Sequence, residues 1–179
     1  DAWQADFFAP SRPLLAAAPW IVVRGNHESC KRAGQGWWRF LDPRPLDPLR
    51  TCNDPAADET GDFSAPYAVP LGVDADTQFL VFDSAATGTQ PLAPTDAAYR
   101  HYRAQFEQVF ALGARRPHAF FLVHHPVLGF AANARDPRHP YPGNAGLQSV
   151  LASLYPEALF PSSVDAVLSG HDHLFEVVG

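Results

Sequence analysis

Methionine is absent from this 179-residue sequence, lysine occurs once, at Lys31, and cysteine only twice, at Cys30 and Cys52. With Asp1 first and no methionine, the sequence reads as part of a longer open reading frame. One lysine against twelve arginines, beside abundant Ala and Pro, reads as coding bias and points to no function. No apolar run approaches the roughly 20 residues that cross a bilayer, and the first residues do not read as a signal peptide. Basic charge is scarce. Thirteen Lys and Arg against nineteen Asp and Glu give a formal charge of −6 and a pI of about 5.7. A phosphate-tracking nucleic-acid surface is normally basic, so none is evident here.

Two cysteines 22 residues apart are too widely spaced for a C-x-x-C zinc knuckle. A Cys30–Cys52 disulfide would close the Pro-rich segment between them and restrict its unfolded ensemble. It would also imply an oxidising location, periplasmic or secreted. Two buried thiols in a cytoplasmic protein is the alternative.

What the sequence does have is 46 % hydrophobic and 12 % aromatic residues, enough for one well-packed domain spanning 1–179. Residues 1–16 predict a helix with Trp3, Phe7, Phe8, Leu14 and Leu15 on one face, interrupted by Pro10 and Pro13. Trp20–Val23 predicts a short buried strand. Residues 28–66, rich in Gly, Pro, Asp and Arg, read as a long loop. Tyr67–Leu71 and Gln78–Phe82 read as a hairpin. Residues 95–112 carry a helical stripe of Tyr99, Tyr102, Phe106, Val109 and Phe110. Ala119–Val123 is an apolar strand, 130–146 a second loop and 147–155 a short helix. Asp165–Leu168 is another buried strand, and Phe175–Val178 begins a further one. Alternating strands and helices predict an α/β layered domain.

The chemistry gathers where strands end. Ile21–Val23 runs into Arg24-Gly25-Asn26-His27-Glu28, Phe121–Val123 into His124-His125-Pro126, and Ala166–Leu168 into Ser169-Gly170-His171-Asp172-His173. Five of the eight histidines lie there, and ligands of open α/β sheets bind at those carboxyl ends. In extended chain His171 and His173 would point to one side. Two imidazoles there can serve two ions about 3.5–4 Å apart, the spacing that clamps both oxygens of an in-line phosphoryl displacement. Imidazole suits Zn, Fe and Mn, and the Asn26 carbonyl adds a harder donor. Taken singly, each motif could be an ordinary packed or capping turn. The three together, in this order, favour one shared site.

G-N-H-E (25–28), H-H-P (124–126) and G-H-D-H (170–173) together resemble the calcineurin-like metallophosphoesterase superfamily, over nearly the whole chain. Pro19–Val23 is similar to the purple acid phosphatase-like and secreted bacterial branch. The protein Ser/Thr phosphatases share R-G-N-H-E, but they lack a G-H-x-H ending and place the next histidine nearer. The resemblance implies a two-sheet sandwich flanked by helices and a binuclear centre of two divalent or trivalent ions, Fe, Zn or Mn. Asn26, His124 and His171 would bind the second ion and His173 the first. His27 would be the acid that protonates the leaving oxygen. Of the histidine pair, His124 rather than His125 is the expected ligand. Glu28, Arg24 and His125 would lie behind the ligands or meet substrate.

The same resemblance exposes a gap. The family pattern begins with D-x-H and G-D, and neither precedes Gly25. Gly61-Asp62 falls after the motif it should precede. The expectation is therefore an internal segment lacking the N-terminal strands, half of the metal ligands and the C-terminal strands. That segment would be inactive or weakly active alone, with sheet edges uncovered and the missing N-terminal part of the domain as its partner. The implied activity is hydrolysis of a small-molecule phosphomonoester or phosphodiester by a metal-bridging hydroxide. The alternatives are a non-catalytic binding domain of the same fold or a nucleotide pyrophosphate hydrolase. Trp37, Trp38, Arg135, Arg138 and His139, in the two long loops, are candidates for substrate contact, with a loop mini-core as the competing role for the tryptophans.

Overall fold

The computed structural model describes residues 2–45, 47, 52, 63–130, 133, 136–173 and 175–177. Four strands form one mixed sheet in the order β1-β2-β3-β4: β1 Tyr67–Pro70, β2 Thr77–Phe82, β3 His118–Val123 and β4 Val164–Ser169. The expected hairpin is present, with β1 antiparallel to β2. β2, β3 and β4 run parallel, which demands crossovers rather than tight turns. One contains α3 (Ala97–Gly113) and the other α4 (Ala145–Leu154). α1 (Ala9–Ala17) follows a π-helical turn over Trp3–Phe8, and α2 is Gly34–Phe40. Among the described residues no helix is long and apolar enough to cross a membrane.

Periodicity explains the core. Tyr99, Tyr102, Phe106, Val109 and Phe110 recur at helical spacing and are all buried. They meet Leu80, Phe82, Phe121 and Val123, which alternate along β2 and β3. The Phe82 and Phe106 rings stack at 4.3 Å. Each such buried side chain contributes about 1.5–3 kcal/mol, and together they fix how α3 lies on the sheet. α4 starts at Ala145 rather than 147 because Asn144 caps it, accepting from the Leu147 N–H at 2.9 Å.

Three expectations change. Trp20–Val23 has no regular secondary structure and belongs to no sheet among the described residues. Its described bonds run from the Trp20 indole N–H to the Leu14 carbonyl at 3.2 Å and from the Tyr67 hydroxyl to the Val22 carbonyl at 3.3 Å, and a strand exists only where a neighbour completes its ladder. The segment after Glu28 is not a plain loop. It forms α2, held by a Cys30–Cys52 disulfide and by Trp37 and Trp38, which are 2 % and 4 % exposed. Trp37 donates to Ser64 Oγ at 2.8 Å, and Trp38 lies under the Arg24 guanidinium, 4.2 Å from the ring centroid. Both tryptophans are therefore a mini-core and not substrate contacts. Phe175–Val177 is irregular, and Val178 lies outside the described residues, as do Arg135, Gly61 and Asp62. One sheet is present among the described residues; the second sheet of the expected sandwich is not seen among them.

Candidate metal centre

Register builds the site. Phe82 pairs with Val123, and Val123 with Ser169. The three parallel strands thus end level, and the next residues emerge side by side: Asp83-Ser84, His124-His125 and Gly170-His171. The Gly170 N–H donates to the His124 carbonyl at 3.1 Å, carrying the β3–β4 ladder one step past the sheet.

The G-N-H-E turn joins them from outside the sheet. Asn26–Glu28 is a single 3₁₀ turn, and Glu28 closes it by accepting from the Gly25 N–H at 3.1 Å. Gly25 has an ordinary φ of −107°, so backbone freedom does not explain it. Space does. A Cβ there would lie 2.9 Å from Cε1 of His124, so the imidazole rests directly on the Gly25 backbone. As a result Asn26 Oδ1 sits 3.1 Å from His124 Nε2, and His171 Nδ1 sits 3.2 Å from that same nitrogen.

His124, His125 and His171 each offer one ligand atom, all within 4.8 Å of one another. His125 is buried at 6 % exposure. Its Nδ1 lies 3.0 Å from Ser84 Oγ, and its main-chain N–H donates to the same oxygen at 3.1 Å. Burial first, then the neighbouring His171 and His124, push the His125 imidazole down to about 3. Burial first, then His171 and His27, also lower His124. Neutral imidazoles are the ligand form. Three of them facing one another, with an amide oxygen alongside, fit a divalent ion bound through nitrogen and oxygen.

The last motif takes an unexpected path. His171 and His173 have φ of 72° and 51°, and the Asp172 N–H closes onto the Gly170 carbonyl at 2.9 Å. The chain coils through a tight three-residue turn of the strained kind, and the extended i, i+2 geometry is not formed. His171 enters the cluster. His173 is exposed and outside it, though near enough for its charge to act on His124, as do His27 and Asp172.

Arg24 sits beneath rather than in the site. It is 1 % exposed, donates to Asp83 Oδ2 at 3.0 Å and to the Glu28 carbonyl at 3.0 and 2.7 Å, and so cannot reach a substrate. Asp83 also accepts from the Ser64 and Ala85 N–H groups. Burial raises its carboxyl while Arg24 and those donors pull it back. Asp83 and Ser84 escaped the sequence reading. The available signal was a third apolar strand ending in polar residues, Phe82-Asp83-Ser84. Arg138 and His139 are exposed, and His139 pairs with Asp136 at 2.7 Å.

A family model described as calcineurin-like phosphoesterase matches residues 1–175. No curated protein and no solved structure matches the chain.

Proposed function

The chain belongs to the calcineurin-like phosphoesterase family, and from that premise we propose that it is a metal-dependent phosphoric-ester hydrolase with a binuclear centre at the level strand ends. One observation carries the reading: Asn26 Oδ1, His124 Nε2 and His171 Nδ1 meet within 3.1 and 3.2 Å, although they come from three distant parts of the chain. The mixed sheet flanked by helices fits the family fold. The two-sheet sandwich belongs to the same proposal. Phe79, Phe120 and Leu168 share the face away from α3, with Leu168 51 % exposed, and a second sheet would cover that face.

Asn26, His124 and His171 would hold one ion and His173 would contribute to the other. Bound ions supply Lewis acidity and a nucleophilic water of lowered pKa for in-line displacement at phosphorus. His27 projects from the same turn as Asn26 and is exposed, and in this reading it would give its proton to the leaving oxygen. Glu28 keeps that turn closed, and Arg24 keeps it seated on the end of β2. Within the family we place the chain nearest the purple acid phosphatase-like and secreted bacterial branch, on Pro19–Val23 and the G-H-D-H ending. The Cys30–Cys52 disulfide fits a periplasmic or secreted location.

The test is hydrolysis of p-nitrophenyl phosphate, bis(p-nitrophenyl) phosphate and an alkyl phosphate by metal-free chain, alone and with Zn, Mn or Fe. Metal-stimulated turnover is expected, weak in this chain alone and stronger once the upstream segment is joined to it. His27→Ala should lower the alkyl ester rate by about 10²–10⁴ and the aryl rates less, because nitrophenolate needs little help to leave. Absence of metal-stimulated turnover on every ester, by this chain and by a version extended through the upstream segment, overturns the proposal. Tight metal binding without turnover favours the non-catalytic reading. Cleavage confined to nucleotide pyrophosphate linkages would instead redirect the substrate class.

A further inference from the structure

We propose that the Cys30–Cys52 disulfide is a redox-sensitive tie on the G-N-H-E turn: oxidised, it holds the turn in its metal-binding form, and reduction by a dithiol releases it. The inference rests on the metal-site reading above, because its main readout is metal affinity.

The geometry begins just after the turn. Cys30 lies inside a knot of main-chain bonds that joins the turn to the start of α2. The His27 carbonyl accepts from the Ala33 N–H at 3.1 Å, and the Ser29 carbonyl accepts from Arg32 at 2.9 Å and from Gly34 at 3.0 Å. Cys52 reaches this knot from 22 residues along the chain. A Cβ on Gly34 would lie 2.9 Å from Cys52 Sγ and 2.9 Å from the Ser29 carbonyl carbon. The sulfur therefore rests on the Gly34 backbone, which itself rests on Ser29. Gln35 Oε1 accepts the Cys52 N–H at 3.0 Å. The crosslink thus clamps the same few residues whose main-chain bonds hold His27.

The main core is built on β2, β3, α3 and α4 and not on this segment, so reduction is a local event. Both cysteines are only half-buried, which leaves a path for a small dithiol. One thiolate of the dithiol attacks one sulfur of the pair, forms a mixed disulfide and expels the other cysteine as thiolate. The dithiol's second thiolate then displaces the first cysteine. The cystine takes up two electrons and the dithiol's two protons and becomes two thiols, while the dithiol leaves as its own disulfide. Cutting the tie returns chain entropy to any opened form of the segment, so opening becomes easier. Coupling is reciprocal. If the tie strengthens metal binding about 10-fold, bound metal makes the pair about 30 mV harder to reduce. A disulfide with no hold on the turn would show no such shift.

The experiment uses the full metal-free chain and Mn²⁺, an ion that thiols hold weakly. The chain is reduced with a dithiol, freed of it by gel filtration without oxygen, and compared with the oxidised chain. Electron paramagnetic resonance of free Mn²⁺ gives the affinity. Amide hydrogen exchange reads the Glu28 and Ala33 N–H groups, which donate to Gly25 and His27. Reduction should weaken Mn²⁺ binding about 10-fold, speed exchange at those amides at least about 10-fold and leave β2 and β3 protected. Equilibration with a dithiol–disulfide buffer should place the pair about 30 mV lower with Mn²⁺ than without. A Cys30→Ser, Cys52→Ser double variant should match the reduced chain and ignore the buffer. Unchanged Mn²⁺ affinity on reduction, whatever the exchange shows, overturns the proposal and leaves the metal-site reading intact. Equal loss of protection in β2 and β3 overturns it too, because the disulfide would then hold the whole fold. An oxidised chain that binds neither Mn²⁺ nor Zn²⁺ overturns both. Should the double variant not fold, the oxidised and reduced wild-type chains decide.

Discussion

The first and last motifs deliver imidazoles or amides to one point from opposite physical conditions. The G-N-H-E turn is clamped. Arg24 lies beneath it, buried against Asp83 and over Trp38, Glu28 caps it, and the Cys30–Cys52 disulfide ties down the chain that follows. The G-H-D-H turn hangs from β4, the edge of the sheet. His171 and His173 are exposed there, both in left-handed backbone. A groove of about 710 Å³, lined among others by Leu128, Phe130, Leu168 and Phe175, runs alongside. One half of the site is organised before a metal arrives, while the other carries strain that a metal would have to hold. Preorganisation on one side lets the strained side close onto a fixed target, and rigid placement of donors is what a metal site requires.

The sharpest way to break this contrast is Asp83→Ala. It removes the carboxylate from the buried Arg24 ion pair and orphans the Ser64 and Ala85 donors. The expected loss is about 3–5 kcal/mol in denaturant unfolding. Asp172→Ala, in the other turn, should change stability by no more than about 0.5 kcal/mol. Comparable losses at both positions would mean the two turns are held alike.

Acid comes next. Burial and the facing His171 and His124 depress His125 to about 3 in the folded chain, below the ordinary 6.5 it regains on unfolding. The unfolded state therefore binds more protons between those values. The stability present above about pH 6.5 should fall as pH drops toward 3, by up to ~1.4 kcal/mol per pH unit. Thermal melts of metal-free chain across that range measure it, and His125→Gln should flatten the slope. A slope unchanged in the variant would assign the acid lability to other groups.

Gly25→Ala follows. The added methyl would lie 2.9 Å from His124 Cε1 and 3.0 Å from both ring nitrogens, so the ring must shift. About 1–3 kcal/mol of stability should be lost, together with roughly 10-fold in metal affinity. Gly170→Ala meets the same ring only at 3.8 Å and should leave metal affinity unchanged. Chelator competition on the pair tests whether the clamped turn, and not the open one, sets the position of His124.

Local patterns carried the parts of this molecule that depend on neighbours in sequence. The stripe from Tyr99 to Phe110 named the core face of α3, and two alternating runs around residues 72–76 named the β1–β2 hairpin. The G-N-H-E, H-H-P and G-H-D-H signatures named Asn26, His124 and His171, which the fold brings together. What stayed hidden depends on distant partners. Trp20–Val23 has a strand's composition, but pairing is decided by a neighbour the pattern does not contain. Trp37 and Trp38 sit among loop-like residues, and contacts such as those with Ser64 and Arg24, far along the chain or beneath them, make a core there. Asp83-Ser84 looks like the start of any loop until the register sets it level with His124. The left-handed turn at His171 is equally invisible, because histidine gives no cue for positive φ.

The smallest expected effect probes the strain directly. His173 adopts a φ of 51°, a region that Asn tolerates better than most residues. His173→Asn should therefore leave metal-free stability unchanged or raise it by about 0.5 kcal/mol, a fraction of the full cost of a strained backbone position. In the clamped turn the logic is absent. His27 lies in an unstrained 3₁₀ turn, so His27→Asn should bring no gain. Metal separates strain from ligation: if His173 serves a second ion, His173→Asn should reduce the metal count per chain from two to one while its metal-free melting temperature holds or rises. A variant that lost stability without metal would show that His173 is held by packing, and that the open turn is no less organised than the clamped one.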